Sequence, residues 1–238
     1  MITVFEGKTV DDVWAQAFDA LHSIAKTGYK ADSRDGGVVG EICEAAFCIS
    51  DPTRNIVTNP IRKMPMRYAI GELAWYLSGS NRVSDISRFA KKWTEISDDG
   101  IHNNSAYGWR IFEKFNFDQW EHVKQLIQRD PNTRQAIIHI KDADNRPTKD
   151  TPCTVYLQFL LRDGKLNMSV HMRSNDLWMG VPYDMFSFCF LQMKMAMELG
   201  VEIGKYTHYA GSLHMYQRDY ETALRNLNEG RCSSQPSA

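Results

Sequence analysis

The chain has 238 residues, of which 43% are hydrophobic and 24% charged, so it is long enough to bury a full core in one domain. Its formal net charge of −1 gives no support for a nucleic-acid or membrane partner, although local arginines remain able to bind small anions. Its five cysteines show neither metal-ligand pairs nor the density of a disulfide framework, which favours a reducing cytoplasm and no metal site.

The first 49 residues predict a helix, a loop and a strand, without a leader pattern, so we expect a soluble protein. A capping-box-like start at Thr9 and apolar residues at helical spacing predict a helix that ends near Thr27. Residues 29–37 form a polar loop with glycines, and residues 38–49 follow as a strand-like run. By itself, Arg34 in this loop is interpreted as part of a solvated turn.

A second helix is predicted for residues 66–77, where apolar residues recur at helical spacing up to Gly79. Glu72 falls among these apolar residues. A buried carboxylate is costly unless it is paired, so Glu72 is a candidate for a raised pKa. An exposed helix glutamate remains an equally good interpretation of the pattern.

Residues 83–93 predict a further helix that ends in Trp93, and a polar loop at residues 97–110 contains Tyr107. Core packing is the ordinary interpretation of a tryptophan such as Trp93.

Residues 117–128 predict the next helix, which ends before a turn at residues 130–132. Residues 134–141 then alternate as a strand, which places Arg134 at a strand edge.

An antiparallel hairpin is the strongest local signal in the sequence. Residues 154–162 and 165–174 are rich in β-branched, aromatic and aliphatic residues, and Asp163-Gly164 between them is typical of a two-residue turn. Antiparallel pairing brings Cys153, at the entry of one strand, beside a polar run at the exit of the other. That run consists of Arg173, Ser174, Asn175 and Asp176. A potential nucleophile and a polar cluster therefore share one rim.

A helix with proline in its first turn and glycine after its end is predicted for residues 182–199. Its first turn presents Asp184 near the same rim.

Residues 202–216 alternate as a strand, on which His214 and Tyr216 point to the same face. A helix is predicted for residues 219–227. Residues 1–228 are expected to form one domain, and residues 229–238 a disordered tail.

Taken singly, these residues have ordinary interpretations. A lone cysteine such as Cys153 is more often a small buried hydrophobe, and an acid early in a helix, such as Asp184, is usually a favourable contact with the helix dipole. His214 and Tyr216 are interpreted in the same way as polar tips of a packed strand.

The joint order of these features is more specific than any one of them. Cys153 after a proline, the strand with phenylalanine, the hairpin, the polar run and the Gly-Val-Pro-Tyr-Asp sequence at the helix start resemble the thymidylate synthase family. Within it, the Cys153-Thr154 pair, the MRSND run and an acid where synthases have asparagine are most similar to phage-type deoxycytidylate hydroxymethylases. The resemblance spans roughly residues 9 to 227.

This resemblance implies an α/β (α+β) fold with a large bent mixed sheet and flanking helices, which dimerises through the sheet. It implies 5,10-methylenetetrahydrofolate as co-substrate and a pyrimidine nucleoside monophosphate as substrate. By similarity, the catalytic residues are Cys153, Glu72, Asp184 and Tyr107. By similarity, the nucleotide is bound by Arg34, Arg134, Arg173, Ser174, Asn175, Asp184, His214 and Tyr216, with Arg134 reaching the partner's phosphate site. By similarity, the folate is bound by Trp93, Asp176 and Gly180.

Three features depart from the family pattern. Gln135 stands where the family has a second arginine, and Ile96 stands where many synthases have a second tryptophan. No residues match the C-terminal segment that closes over the folate in synthases.

The hydrogen-bonding atoms of residue 184 indicate which base is bound. An asparagine amide offers one donor and one acceptor, which matches uracil, whereas a carboxylate accepts from both the amino group of cytosine and its protonated ring nitrogen. Asp184 therefore favours cytosine. We expect hydroxymethyl transfer to position 5 of dCMP, with a CMP hydroxymethylase, a dCMP or dUMP methyltransferase, or a catalytically silent nucleotide- or RNA-binding relative as alternatives.

Overall fold

The computed structural model describes residues 1–27, 31–32, 38–62, 64–144 and 146–233. The strands are β1 (Thr3–Gly7), β2 (Ala31–Asp32), β3 (Val38–Ile49), β4 (Ile137–His139), β5 (Thr154–Arg162), β6 (Lys165–Met172), β7 (Asn175–Asp176) and β8 (Glu202–Tyr216). The helices are α1 (Val10–Thr27), α2 (Met66–Ser78), α3 (Val83–Ile86), α4 (Lys92–Glu95), α5 (Tyr107–Phe112), α6 (Gln119–Arg129), α7 (Val181–Leu199) and α8 (Gln217–Ser233).

The strands of the described residues form one mixed sheet in the order β1-β3-β8-β6-β5-β4, with β2 paired to β3 and β7 to β8. The β1–β3 and β6–β8 pairs are parallel, and the connections between their strands contain α1 and α7 respectively. The β3–β8 and β5–β6 pairs are antiparallel. Parallel neighbours need a long crossover, whereas a two-residue turn suffices for antiparallel ones. The expected fold class, a large mixed sheet with flanking helices, is confirmed.

Helix α7 lies at the centre of the core, against α1, α2, β6 and β8. It is apolar on most sides, and Met185, Phe188 and Leu191 are fully buried. Pro182 lies in its first turn, and Gly200 ends it at φ +67°, as the sequence pattern predicts. Because this helix is anchored in the core, the residues at its start are held rigidly.

The β5–β6 hairpin also forms as predicted. Asp163 and Gly164 have φ values of +50° and +72°, the left-handed conformation that a type I′ turn requires at both central positions. A register shift between Thr154 and Tyr156 marks a β-bulge directly after Cys153. A bulge bends its strand and changes the direction of the neighbouring side chains, so it helps to aim Cys153.

The single helix predicted for residues 83–93 is wrong, because the segment forms two short helices, α3 and α4, with turns between them. The ring of Phe89 packs onto Gly71 of α2, where an added Cβ would lie 2.7 Å from the ring. Phe89 reaches this contact only if the chain turns after α3. Tertiary packing has therefore overridden the local helical periodicity.

Other boundaries also differ from the sequence pattern. The strand predicted for residues 134–141 is shortened to β4, because the Ile137 N–H donates to the Gln135 carbonyl at 2.8 Å and bends the backbone there. Helix α5 begins inside the predicted loop 97–110. Helix α8 continues to Ser233, beyond the predicted end at residue 227.

Among the described residues, no helix combines the length and apolar character needed to cross a membrane. Arg34, a predicted phosphate ligand, lies outside the described residues.

Candidate active site

Cys153 lies half-buried at the entry of β5, with the Arg173 guanidinium beside it. Arg173 Nη2 is 3.5 Å from Cys153 Sγ. The same guanidinium donates from Nε to the Pro152 carbonyl at 3.1 Å and from Nη2 to the Thr151 carbonyl at 3.0 Å. These backbone contacts fix a positive charge next to the sulfur, which favours the reactive thiolate form.

Tyr107, at the start of α5, contacts the backbone of the residue after this cysteine. Its hydroxyl oxygen accepts from the Thr154 N–H at 3.3 Å, and its ring stacks near Phe188 at 6.0 Å between centroids. Burial raises the pKa of Tyr107 well above its ordinary value, and negative charge on Cys153 and Asp184 raises it further. The phenol therefore stays protonated beside the sulfur.

Gly108 explains how α5 comes close enough to place Tyr107. A Cβ on this glycine would lie 1.9 Å from the Tyr76 carbonyl oxygen of α2, so no other residue fits without moving a helix. The Tyr76 and Tyr107 rings then pack at 5.4 Å.

Asp184, in the first turn of α7, is only 9% exposed and is held by a buried hydrogen-bond chain. Asn175 Nδ2 donates to Asp184 Oδ2 at 2.7 Å. Asn175 Oδ1 lies 3.0 Å from His208 Nε2, and His208 Nδ1 lies 2.8 Å from the Tyr206 hydroxyl. Tyr206 and His208 are not among the residues predicted from the sequence, although a tyrosine and a histidine two apart on the buried face of a strand were a visible signal.

Glu72 is also buried, with 5% exposure, on the inward side of α2. The Tyr68 hydroxyl donates to Glu72 Oε1 at 2.6 Å, and Trp93 Nε1 donates to the Tyr68 oxygen at 3.2 Å. Of the two interpretations that the sequence left open, the structure therefore selects the buried glutamate. Trp93 is half-buried and tied to Glu72 through Tyr68.

The two buried carboxyl groups hold protons far more tightly than ordinary ones. Burial raises the pKa of Glu72 to about 8, with a further rise from the charge on Asp184 and an opposing effect of the Tyr68 hydrogen bond. Burial raises the pKa of Asp184 to about 7, against the hydrogen bond from Asn175 and with the Asp176 charge. Near neutral pH both groups are close to their transition between neutral and ionised forms, which suits proton transfer.

Asp176 and Gly180 form the turn that leads into α7. Asp176 Oδ1 accepts from the Trp178 and Met179 N–H groups at 2.8 and 3.0 Å, which fixes the carboxylate. A Cβ on Gly180 would lie 2.8 Å from Asn175 Nδ2 and 3.2 Å from Asp184 Oδ2. A glycine is therefore required where the turn passes the Asn175–Asp184 contact.

His214 and Tyr216 lie half-buried at the end of β8, beside the polar run. His214 is paired with Asp176 of β7, and its carbonyl accepts from the Leu177 N–H at 2.8 Å. Their rings contact each other at 5.5 Å. Ser174 is half-buried in the turn between β6 and β7.

Arg134 does not converge on this cluster. It is exposed before β4, and its carbonyl accepts from the Gln158 side chain at 3.0 Å. Gln158 lies five positions after Cys153, which corresponds to about 16 Å of extended chain. Among the described residues, no group of three or more His, Cys, Asp or Glu side chains is arranged to hold a metal ion.

The cluster thus combines a half-buried thiol beside a guanidinium, two buried carboxyl groups of raised pKa and a protonated phenol. Residues 15–237 match the family model of thymidylate synthase. The chain is 35% identical over 217 residues to a deoxyuridylate hydroxymethyltransferase of Bacillus phage SP01, a match that covers 85% of this chain and 56% of the relative. It is 29% identical over 213 residues to a deoxyuridylate hydroxymethyltransferase of Pseudomonas phage M6, covering 84% of this chain and 58% of that relative. The chain thus spans somewhat more than half the length of these relatives, and it belongs to the thymidylate synthase family.

Proposed function

We propose that the protein transfers a one-carbon unit to position 5 of a pyrimidine nucleoside monophosphate and hydrates it, with dCMP preferred. The observation that carries this proposal is the buried Asp184 carboxyl, held by Asn175 in the same cluster as the Cys153–Arg173 pair. The carboxyl group has no structural need for this placement, because burying a carboxyl group without a cation costs free energy.

Cys153 is the nucleophile in this proposal. Its thiolate, favoured by Arg173 at 3.5 Å, adds to ring position 6 and converts position 5 into a nucleophilic enamine carbon. Methylenetetrahydrofolate, when bound, supplies the one-carbon unit that this carbon takes up. Trp93 and Asp176 fit such a ligand, because they offer a half-exposed aromatic face and a fixed carboxylate, and Gly180 forms the tight turn between that carboxylate and α7.

Glu72 is suited to the proton transfers and to positioning a water molecule. Its pKa of about 8 allows it to give up or take a proton near neutral pH, and Tyr68 holds its orientation. Loss of the proton from ring position 5 and departure of tetrahydrofolate leave an exocyclic methylene on the ring. Water added to this methylene gives the hydroxymethyl product, and loss of the Cys153 thiolate restores the aromatic ring.

The preference for cytosine is attributed to Asp184. In its ionised form the carboxyl group only accepts hydrogen bonds, so it matches the amino group and the protonated ring nitrogen of cytosine and opposes the carbonyl of uracil. Charge developing on the cytosine ring during thiolate addition is neutralised by the same group.

A dUMP hydroxymethylase is the second candidate, and the printed names of the two relatives favour it. The pKa of Asp184 near 7 makes it chemically reasonable, because a neutral carboxylic acid has one donor and one acceptor and so matches uracil.

The decisive experiment incubates the protein with methylenetetrahydrofolate and dCMP, dUMP or CMP in parallel and measures product mass. We expect the mass of 5-hydroxymethyl-dCMP and release of tetrahydrofolate. A methylated product with dihydrofolate formation would contradict hydroxymethyl transfer, and product from dUMP alone would contradict the preference for cytosine.

The Asp184→Asn variant tests the role of this residue within the same assay. We expect the ratio of turnover with dCMP to turnover with dUMP to fall by roughly tenfold or more, because a mismatched, partly buried hydrogen bond costs about 1–3 kcal/mol. An unchanged ratio would reduce Asp184 to an acid at a helix start.

A further inference from the structure

A buried chain of side chains runs from Tyr206 through His208 and Asn175 to Asp184, and its inner two members, Tyr206 and His208, have no role in the proposed reaction. Tyr206 and His208 are fully buried, and Asn175 is 3% exposed. Consecutive contacts of 2.8, 3.0 and 2.7 Å join the four side chains without a gap. Such a chain is retained in a core only if every member is satisfied.

When Asp184 is ionised, each hydrogen bond of the chain has one direction. Burial lowers the pKa of His208 to about 3, so its ring is neutral and carries one N–H. Asn175 Oδ1 can only accept, so His208 Nε2 is the donor and His208 Nδ1 accepts from the Tyr206 hydroxyl. Asn175 Nδ2 is then directed at Asp184 Oδ2, to which it can only donate.

This direction has a consequence for Asp184. Oδ2 is occupied as an acceptor, so a proton bound to Asp184 is best placed on Oδ1. If the Asn175 amide were reversed, its Oδ1 would face Asp184 and would favour a neutral carboxyl group that donates to it. Asp184 would then lose the purely accepting character that distinguishes cytosine from uracil.

We propose that Tyr206 and His208 are positioning residues that hold the Asn175 amide in the orientation that donates to Asp184, and that they thereby set the preference between cytosine and uracil nucleotides. This inference rests on the proposed function. It extends the specificity determinant from one residue in contact with the base to a chain of four that reaches into the core of the sheet.

The packing around Asn175 does not by itself set the orientation of its amide. The Asn175–Asp184 contact passes directly over Gly180, where even a Cβ would be too close. The steric fit, however, does not distinguish the two orientations of an amide, since its oxygen and nitrogen are nearly the same size. The hydrogen bonds from Tyr206 and His208 do, because in the reversed chain His208 Nδ1 would donate to the Tyr206 oxygen and the buried Tyr206 hydroxyl hydrogen would lose this acceptor.

The test compares His208→Met, which removes both ring contacts, with His208→Gln, whose amide N–H can still donate to Asn175. Dissociation constants and rates of hydrogen exchange at position 5 are measured for dCMP and dUMP. We expect His208→Met to lower the ratio of the exchange rate with dCMP to the exchange rate with dUMP about tenfold. His208→Gln should restore this ratio to within about threefold of wild type. Tyr206→Phe removes only the hydroxyl and should lower the ratio several-fold.

Two controls separate positioning from general damage to the fold. Tyr209→Phe makes the same chemical change on the opposite face of β8 and should leave the ratio unchanged. In the Asp184→Asn background, His208→Met should produce no further change in the ratio, because the two residues act through one contact.

Equal losses for both nucleotides in His208→Met, without rescue by His208→Gln, would show a structural role only and overturn the inference. If wild-type protein discriminates and Asp184→Asn abolishes discrimination while both His208 variants retain it, the proposed function stands and the inference fails. Wild-type protein that binds neither nucleotide would overturn both.

Discussion

At the scale of single residues, burial gives ordinary side chains their unusual chemistry. Glu72 and Asp184 are carboxyl groups whose pKa values rise because their charged forms are removed from water. Cys153 differs from them, because it is half-buried and has a guanidinium at 3.5 Å. The site therefore places a thiol that has a guanidinium beside it among carboxyl groups of raised pKa.

Replacement of Cys153 by serine should abolish product formation and hydrogen exchange at position 5, because a serine hydroxyl beside Arg173 is not ionised at neutral pH. Exchange is followed by tritium release from labelled nucleotide without folate. The matched control is Cys189→Ser, which replaces a buried cysteine on α7 and should retain exchange. Exchange that persists in Cys153→Ser would exclude the covalent route.

Glu72→Gln should make the free protein more stable than wild type, by an amount that grows with pH. The folded-state pKa of Glu72, about 8, lies above its ordinary value of 4.5. Between these values the unfolded chain has released the proton that the folded chain still holds, so the stability of wild type falls as pH rises. Above about pH 8 the full difference in the free energy of unfolding between Glu72→Gln and wild type is present.

The measurement is Tm from pH 5 to pH 9 for wild type and Glu72→Gln. We expect nearly equal values at pH 5 and a difference on the order of 5 °C at pH 9. Glu95→Gln, at an exposed position of α4, should show no such trend. A pH-independent difference in Glu72→Gln would mean that the carboxyl group is not protonated in the folded protein.

At the scale of elements, the site depends on three local features of the backbone. The bulge after Cys153 aims the thiol, the Gly180 turn leads into α7, and Gly108 lets α5 contact α2. Each is a point where a larger side chain or a regular ladder would move a functional group.

Gly108→Ala should therefore destabilise the protein by about 2–4 kcal/mol or displace α5, since the added Cβ would lie 1.9 Å from a backbone oxygen. Activity should fall with it, because Tyr107 is the neighbouring residue. The comparison is Gly100→Ala, where the Cβ meets no atom within 4 Å and only the positive φ costs about 1 kcal/mol. Equal urea midpoints for the two variants would contradict the close packing of α5 on α2.

At the scale of the whole molecule, one sheet face packs on α7 and the other carries a row of half-buried side chains. Tyr156, His171 and Tyr209 stack across β5, β6 and β8 at 4.3 and 4.4 Å between centroids. A half-buried aromatic row on a sheet face supports the proposal that two copies associate through this face, with Arg134 of each copy serving the other's phosphate site.

Co-expression of Cys153→Ser and Arg134→Ala chains tests this arrangement. Each variant alone should be nearly inactive, whereas a mixed dimer contains one site with both residues intact, so about a quarter of wild-type activity should return. The control pair, Cys153→Ser with Arg173→Ala, should show no recovery because both residues lie in the same chain's site. Absence of recovery in the first pair would place Arg134 outside the partner's site.

The sequence by itself predicted the elements whose signals are local. The β5–β6 hairpin follows from Asp163-Gly164, and the limits of α7 follow from Pro182 and Gly200. The proximity of Cys153 and Arg173 also followed, because antiparallel pairing alone brings the two strand ends together.

Only the tertiary structure decided the features that depend on contacts between distant segments. The break between α3 and α4 exists because Phe89 needs the space over Gly71, and the burial of Glu72 depends on what packs against α2. His208 and Asn175 are 33 residues apart, and their hydrogen bond exists because β7 pairs with β8. Periodicity reports which face of an element is apolar, but the partner of a buried polar atom is set by packing between elements, which no local pattern encodes.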